Sequence, residues 1–165
     1  MEYARTVQAL ADRLRRIIAF VVSLQCIVLV ILIGTEVFFR YAVGRALSWP
    51  EEVLGFVFVW FSLLGVVLLT QSGEHIEFSF LSGRLGPRGG QVLAVFTQVL
   101  IAMFSILMIY YGYTYAVMFR FESTPAAGIN ALWLNISLPV AGLLILFYSH
   151  LNIIRIFKNP GRNAG

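Results

Sequence analysis

Four stretches of this chain are apolar for long enough to cross a lipid bilayer, and nothing else in the sequence limits its fold as strongly. They run from Ile17 to Phe39, Val53 to Thr70, Gln91 to Phe119 and Ala131 to Ile154. A helix needs about 20 mostly apolar residues to traverse the hydrocarbon, because it rises only ~1.5 Å per residue. None of the four alternates polar and apolar residues as a barrel strand would, and open strand edges cannot face lipid. The predicted class is an all-α integral membrane protein, a single domain over residues 1–165 with four transmembrane helices. Composition agrees, since 59% of the residues are hydrophobic and only 12% are charged. A water-soluble domain of this size requires a far larger polar surface.

The first run is too long for the apolar part of a signal peptide, and no small-residue cleavage site follows it. Before it, "YARTVQALADRLRRI" places Val7, Leu10, Leu14 and Ile17 at helical spacing among arginines. That pattern predicts an N-terminal interfacial amphipathic helix leading into the first span. The third run is longer than a crossing needs, which predicts tilt or emergence from the lipid. The fourth contains Pro139. The tail "FKNPGRNAG" reads as a frayed end.

Basic residues set the expected orientation. With the N-terminus inside, Arg5, Arg13, Arg15, Arg16, Arg84, Arg88, Arg155, Lys158 and Arg162 all face the cytoplasm, and only Arg40, Arg45 and Arg120 lie outside. Positive charge concentrates on cytoplasmic loops, so both termini are expected there. The net charge of +4 follows from this sorting. Nucleic-acid binding is the competing reading of a basic chain, but no basic stripe with interleaved aromatics supports it.

Chemistry-bearing motifs are sparse. Cys26 is the single cysteine, which excludes disulfide exchange within the chain. No metal-ligand cluster, phosphate-cradling glycine loop or nucleophile elbow is present, so neither catalysis nor a cofactor is expected. His75 and His150 fall near the cytoplasmic ends of spans two and four, where two imidazoles could ligate a haem axially. A haem-binding membrane anchor of a respiratory oxidoreductase is therefore an alternative; the plainer reading is two interfacial histidines. An independent small transporter is a third reading, but Glu36, the acid nearest the membrane core, sits four residues before Arg40. An i,i+4 pair near the surface explains it better than an ion-coupling site.

The connection "RYAVGRALSWPEEV", residues 40 to 53, is unusually charged for this chain. Ser48, Pro50 and Glu51 fit a helix start: a serine cap, a proline in the first turn and a capping-box glutamate. Trp49 suits the aromatic belt at the membrane surface. Capping leaves Arg40, Arg45 and Glu52 without a reason, and Glu52 is the expected partner of Arg40 across the two helix ends.

An Arg-Tyr pair closing span one (Arg40, Tyr41), followed by a Trp and a Glu-Glu opening span two (Trp49, Glu51, Glu52), resembles the small membrane subunit of tripartite ATP-independent periplasmic (TRAP) transporters. "VWFSLLGVVLLTQSGEHIEF" is similar to that family's second span, with its Leu-Gly and its Gly-x-His-Ile exit at Gly73 and His75. "STPAAGINALWLNISLPVAGLLI" resembles its Ser-x-Pro loop and the Leu-Pro of span four. The likeness covers roughly residues 17 to 155. The chain departs from the pattern at Gly55-Phe56-Val57, where an arginine often follows the acid pair, and at Ser79, where an acid is common.

The resemblance implies a non-catalytic small permease subunit in the bacterial inner membrane. Its partners would be a large permease subunit, a periplasmic solute-binding protein that docks on the complex, and membrane lipid. Uptake would be sodium-driven symport of organic acids or similar solutes, with this chain as scaffold. Arg40, Tyr41, Trp49, Glu51 and Glu52 are the expected periplasmic cluster or subunit contact. Gly73 and His75 mark a cytoplasmic loop motif, and Trp60, Gly65 and Pro139 are expected packing points between helices.

Overall fold

The computed structural model describes residues 2–72 and 79–158, with side chains over 8–72 and 89–157. It contains α1 (Glu2–Tyr41), α2 (Trp49–Ser72), α3 (Ser79–Met118), the single turn α4 (Leu132–Asn135) and α5 (Ser137–Lys158). Four segments are long and apolar enough to cross a membrane: Gln8–Tyr41, Trp49–Ser72, Gly89–Met118 and Leu132–Phe157. Among the described residues there is no strand, only one isolated antiparallel bridge between Ser123 and Asn130. The expected four-span, all-α class is what the chain adopts.

Boundaries differ from the sequence expectation in three places. The amphipathic segment before span one is continuous with it, so α1 is one helix of 40 residues. No glycine or proline interrupts Glu2–Tyr41 except Gly34, and the apolar stripe simply carries on. The third helix begins at Ser79, twelve residues before the apolar run, so the expected loop up to Arg88 is largely helical. The fourth span is broken at Ile136 into α4 and α5. Pro139 thereby falls in the first turn of α5, where its missing N–H costs no hydrogen bond.

The helices pack in an open order. α1 lies along α2, α2 along α5, and α5 along α3, with the α3–α5 pair in the most extensive contact. The core follows this line through Ala11, Ile18, Leu64, Val67, Met108, Ala141, Ile145 and Tyr148. α1 turns Ala11, Ile18 and Leu29 inward. Its residues Phe20, Leu24, Ile27, Ile31 and Phe38 stay exposed. An apolar face of this extent is a surface for lipid or a partner helix, not for water. The upper end holds the 42–48 and 119–131 connections; the lower end holds the outer ends of α1 and α5.

Candidate functional site

The upper end is built around α2's first turn. Ser48 precedes the first helical residue, Trp49, and Glu51 and Glu52 occupy the first turn, where the helix dipole favours acids. Pro50 is buried. The carboxylate of Glu52 accepts the backbone N–H of Ala126 at 3.0 Å and of Ala127 at 2.7 Å, both on the α3–α4 connection. The Thr124 side chain also hydrogen-bonds this carboxylate.

That connection is itself folded. The Thr124 N–H donates to Ile129 O at 2.9 Å, and the Ala131 N–H to Glu122 O at 2.8 Å. Asn130 donates from Nδ2 to Arg120 O and accepts the Leu132 N–H on Oδ1, which opens α4. Gly128 has φ +65°, a left-handed conformation that side chains with a Cβ adopt at a cost. Below the connection, the Trp60 indole N–H of α2 donates to Trp133 O of α4 at 3.0 Å. Two side chains of α2, Glu52 at its first turn and Trp60 about two turns further in, thus fasten the 119–135 segment.

Arg40 and Glu52 do not form the expected pair. Arg40 bonds Glu36, four residues earlier on α1, while Glu52 is occupied by backbone amides. An i,i+4 partner on the same helix needs no loop to be ordered, so it wins. Tyr41 and Trp49 are exposed at this end, as belt residues are. Arg120 lies over the Phe121 ring at 4.6 Å from its centroid.

The expected packing points divide. Trp60 makes the bond just given. Pro139 presses on Gly112, where an added Cβ would stand 2.7 Å from the proline Cδ. Gly65, by contrast, has nothing within 4 Å of a Cβ position, so it is no close approach within this chain. Gly142 is the close approach the sequence reading missed: a Cβ there would meet Ser105 O at 3.0 Å. Gly112 and Gly142 each sit on the α3–α5 seam, and small residues at a seam let two backbones meet.

Sequence reasoning also missed a polar layer at the lower end. Asn152 on α5 donates to Thr70 O near the end of α2 at 2.7 Å. Ser149 donates to Gln98 O at 2.9 Å and contacts Gln98 Oε1 at 3.0 Å, joining α5 to α3. The Tyr148 hydroxyl donates to Ala11 O of α1 at 3.1 Å. Tyr148 and Asn152 share one face of α5 with Ser149 beside them, but so few polar groups inside an apolar run give no periodic signal in the sequence. His150, between them, points outward and is exposed; Gly73 and His75 lie outside the described residues. Among the described residues no charged side chain is buried, and the buried polar ones are short or amide groups.

Residues 29–159 match the family described as tripartite ATP-independent periplasmic transporters, DctQ component. The chain belongs to that family, the small TRAP permease subunits. It is 28% identical over 121 residues to the sialic acid TRAP transporter small permease protein SiaQ of Vibrio cholerae, covering 72% of this chain and 69% of SiaQ. It is 25% identical over 112 residues to the sialic acid TRAP transporter permease protein SiaT of Haemophilus influenzae, covering 68% of this chain and 18% of SiaT. A putative TRAP transporter small permease protein of Haemophilus influenzae is 29% identical over 79 residues, about half of each chain. With four spanning helices, this small TRAP permease subunit is a multi-pass protein of the bacterial inner membrane. The haem-anchor alternative is not favoured.

Proposed function

We propose that this small TRAP permease subunit is a non-catalytic scaffold for a large permease subunit in a sodium-driven importer of organic acids or similar solutes. A periplasmic binding protein delivers the solute, and the upper end of the helices faces the periplasm. The observation that carries the reading is an interior without buried charge. Among the described residues no charged side chain is buried; Thr70, Ser105, Ser137 and Ser149 donate to backbone carbonyls, Asn152 donates to Thr70 O, and Gln25 Oε1 on α1 is the one buried side-chain polar atom left without a partner. An ion-coupled pathway needs intramembrane polar or charged groups open to solute and discontinuous helices near the bilayer midplane. The break between α4 and α5 lies at the upper end, not at the midplane.

The open order of helices supports a scaffold role, because it leaves long apolar faces for a neighbouring subunit. In SiaT the stretch similar to this chain is one part of a much longer permease polypeptide. A covalent union of that kind suits two units that work side by side.

The test is reconstitution into liposomes under an inward sodium gradient. Uptake is expected only when this chain, its large partner and the binding protein are all present, and is expected to stop when the gradient is dissipated. Uptake by this chain alone, or full-rate uptake by the large subunit without it, overturns the reading.

A further inference from the structure

One amide inside the membrane is left incomplete by the fold. Between Arg16 and Glu36 α1 carries no charge, and Gln25 stands near the middle of that stretch, ~14 Å along the axis from the arginine and ~17 Å from the glutamate. That depth is within the hydrocarbon, where water supplies no hydrogen bonds. The hydroxyls of the same stretch are satisfied inside the helix: Ser23 donates to Ala19 O and Thr35 to Ile31 O. Gln25 has no such bond. Its Oε1 is shielded from outside and meets no donor among the described residues.

The two ends of this amide differ. Gln25 shares the face of α1 that turns Ile18 and Leu29 inward, and its Oε1 is sealed there. Its Nε2 is unbonded among the described residues but not sealed, so it opens onto the surface beside α1. Turning the amide over exchanges donor for acceptor and still leaves one unmet polar end facing outward. α1 is also the edge of the bundle, packed along α2, and Leu24 and Cys26 flank Gln25 as exposed side chains. Lipid tails offer the open end nothing, and an unpaired amide in hydrocarbon is costly.

We propose that Gln25 is the polar contact for a transmembrane helix of the large permease subunit, which lies against α1 and supplies the hydrogen-bonding group that this amide lacks. The proposal rests on the scaffold reading above and adds to it the helix and the side chain through which the two subunits meet. Only a membrane helix brings a polar side chain to this depth, and serine, threonine, asparagine or glutamine on it would complete the amide. A second copy of this chain does not serve. Across a two-fold axis it presents the same end of the same amide, so donor meets donor, or acceptor meets acceptor. The neighbour on α1 is therefore a different polypeptide.

The experiment uses the full-length chain co-expressed with its large permease partner. A photoactivatable amino acid at Leu24 or at Cys26, with Gln25 intact, is expected to crosslink to the large subunit. Gln25→Leu is expected to lower recovery of the large subunit through detergent washes by about threefold or more. Thermal unfolding of the isolated chain should be unchanged or raised by the same substitution, because it removes an amide without a partner. Unchanged recovery, no crosslink from either position, or crosslinks joining two copies of this chain overturns the contact. A loss of stability in the isolated chain overturns it as well, since Gln25 would then be held within its own bundle. If the large subunit still co-purifies in those cases, the scaffold reading stands and only this contact falls; a wild-type chain that recovers no large subunit removes both.

Discussion

The Glu52 carboxylate holds the Ala127 backbone N–H at 2.7 Å across 75 residues of sequence, so the first turn of α2 anchors the connection between α3 and α4. Two amides and a threonine converge on one side chain, and no residue of that connection need be charged for it to be held.

Glu52 sets the order of that connection. Glu52→Ala removes the acceptor for Ala126 and Ala127, and their amide hydrogen exchange should rise on the order of tenfold, since bonds to charged groups are the stronger class. Glu52→Gln keeps one acceptor oxygen and should fall between. The measurement is site-resolved exchange in detergent, with helical circular dichroism unchanged.

Arg40 and Glu52 should act independently. Arg40→Glu should be mild, since it touches only an exposed i,i+4 pair of about 0.3–0.5 kcal/mol. Adding Glu52→Arg should give no rescue. A double-mutant cycle on complex yield should show coupling below about 0.5 kcal/mol; a rescue would mean that the two side chains meet in the assembled transporter.

Gly112 and Gly65 should respond oppositely to alanine. At Gly112 a Cβ would strike Pro139, so Gly112→Ala should destabilise by about 1–3 kcal/mol through overpacking. At Gly65 there is open space, and Gly65→Ala should be neutral or stabilising by up to about 1 kcal/mol. Thermal unfolding of the isolated chain in detergent separates them. If Gly65→Ala nonetheless lowers recovery of a co-purifying permease, that space is occupied by the partner.

The lower polar layer should be costlier to break at Asn152 than at Ser149. Asn152→Leu leaves the buried Thr70 carbonyl without its donor, at about 1–2 kcal/mol. Ser149→Ala should cost about 0.6 kcal/mol, the mean for hydrogen bonds between membrane helices. Denaturant unfolding in mixed micelles gives both values.

The two ends should lie on opposite sides of the membrane. In a Cys26→Ser background, a cysteine at Arg45 should be labelled by an impermeant reagent from the periplasm and one at Arg84 only after the membrane is opened. Labelling of both from one side would reverse the proposed orientation.

The fold was legible because lipid leaves few choices: four long apolar runs must become four helices. Trp60 and Pro139 were legible for the same reason, being residues whose chemistry needs a partner or a break. Glu52 was found, but its partner was not. A carboxylate's preference for a cation is readable from sequence, whereas backbone amides 74 and 75 residues away carry no side-chain signature. Gly112 and Gly142 were missed because Gly65, Gly55 and Gly34 look the same in sequence; only the neighbouring helix distinguishes a crowded glycine from an open one. Asn152 was missed because one amide inside an apolar run has no periodicity of its own.

The open order of the helices bears on how the chain assembles. Its neighbours in space are mainly neighbours in sequence: α1 folds back on α2, and α3 on α5. Each is a helical hairpin that can close as soon as its second limb is inserted, with little loop-closure entropy to overcome. The two hairpins then join through α2 and α5, with Asn152 and Tyr148 as bonds between them. A chain divided between Ser72 and Ser79 should therefore reassemble from two co-expressed halves. A division within α5 would split the seam that holds both hairpins together, and should leave nothing to recover.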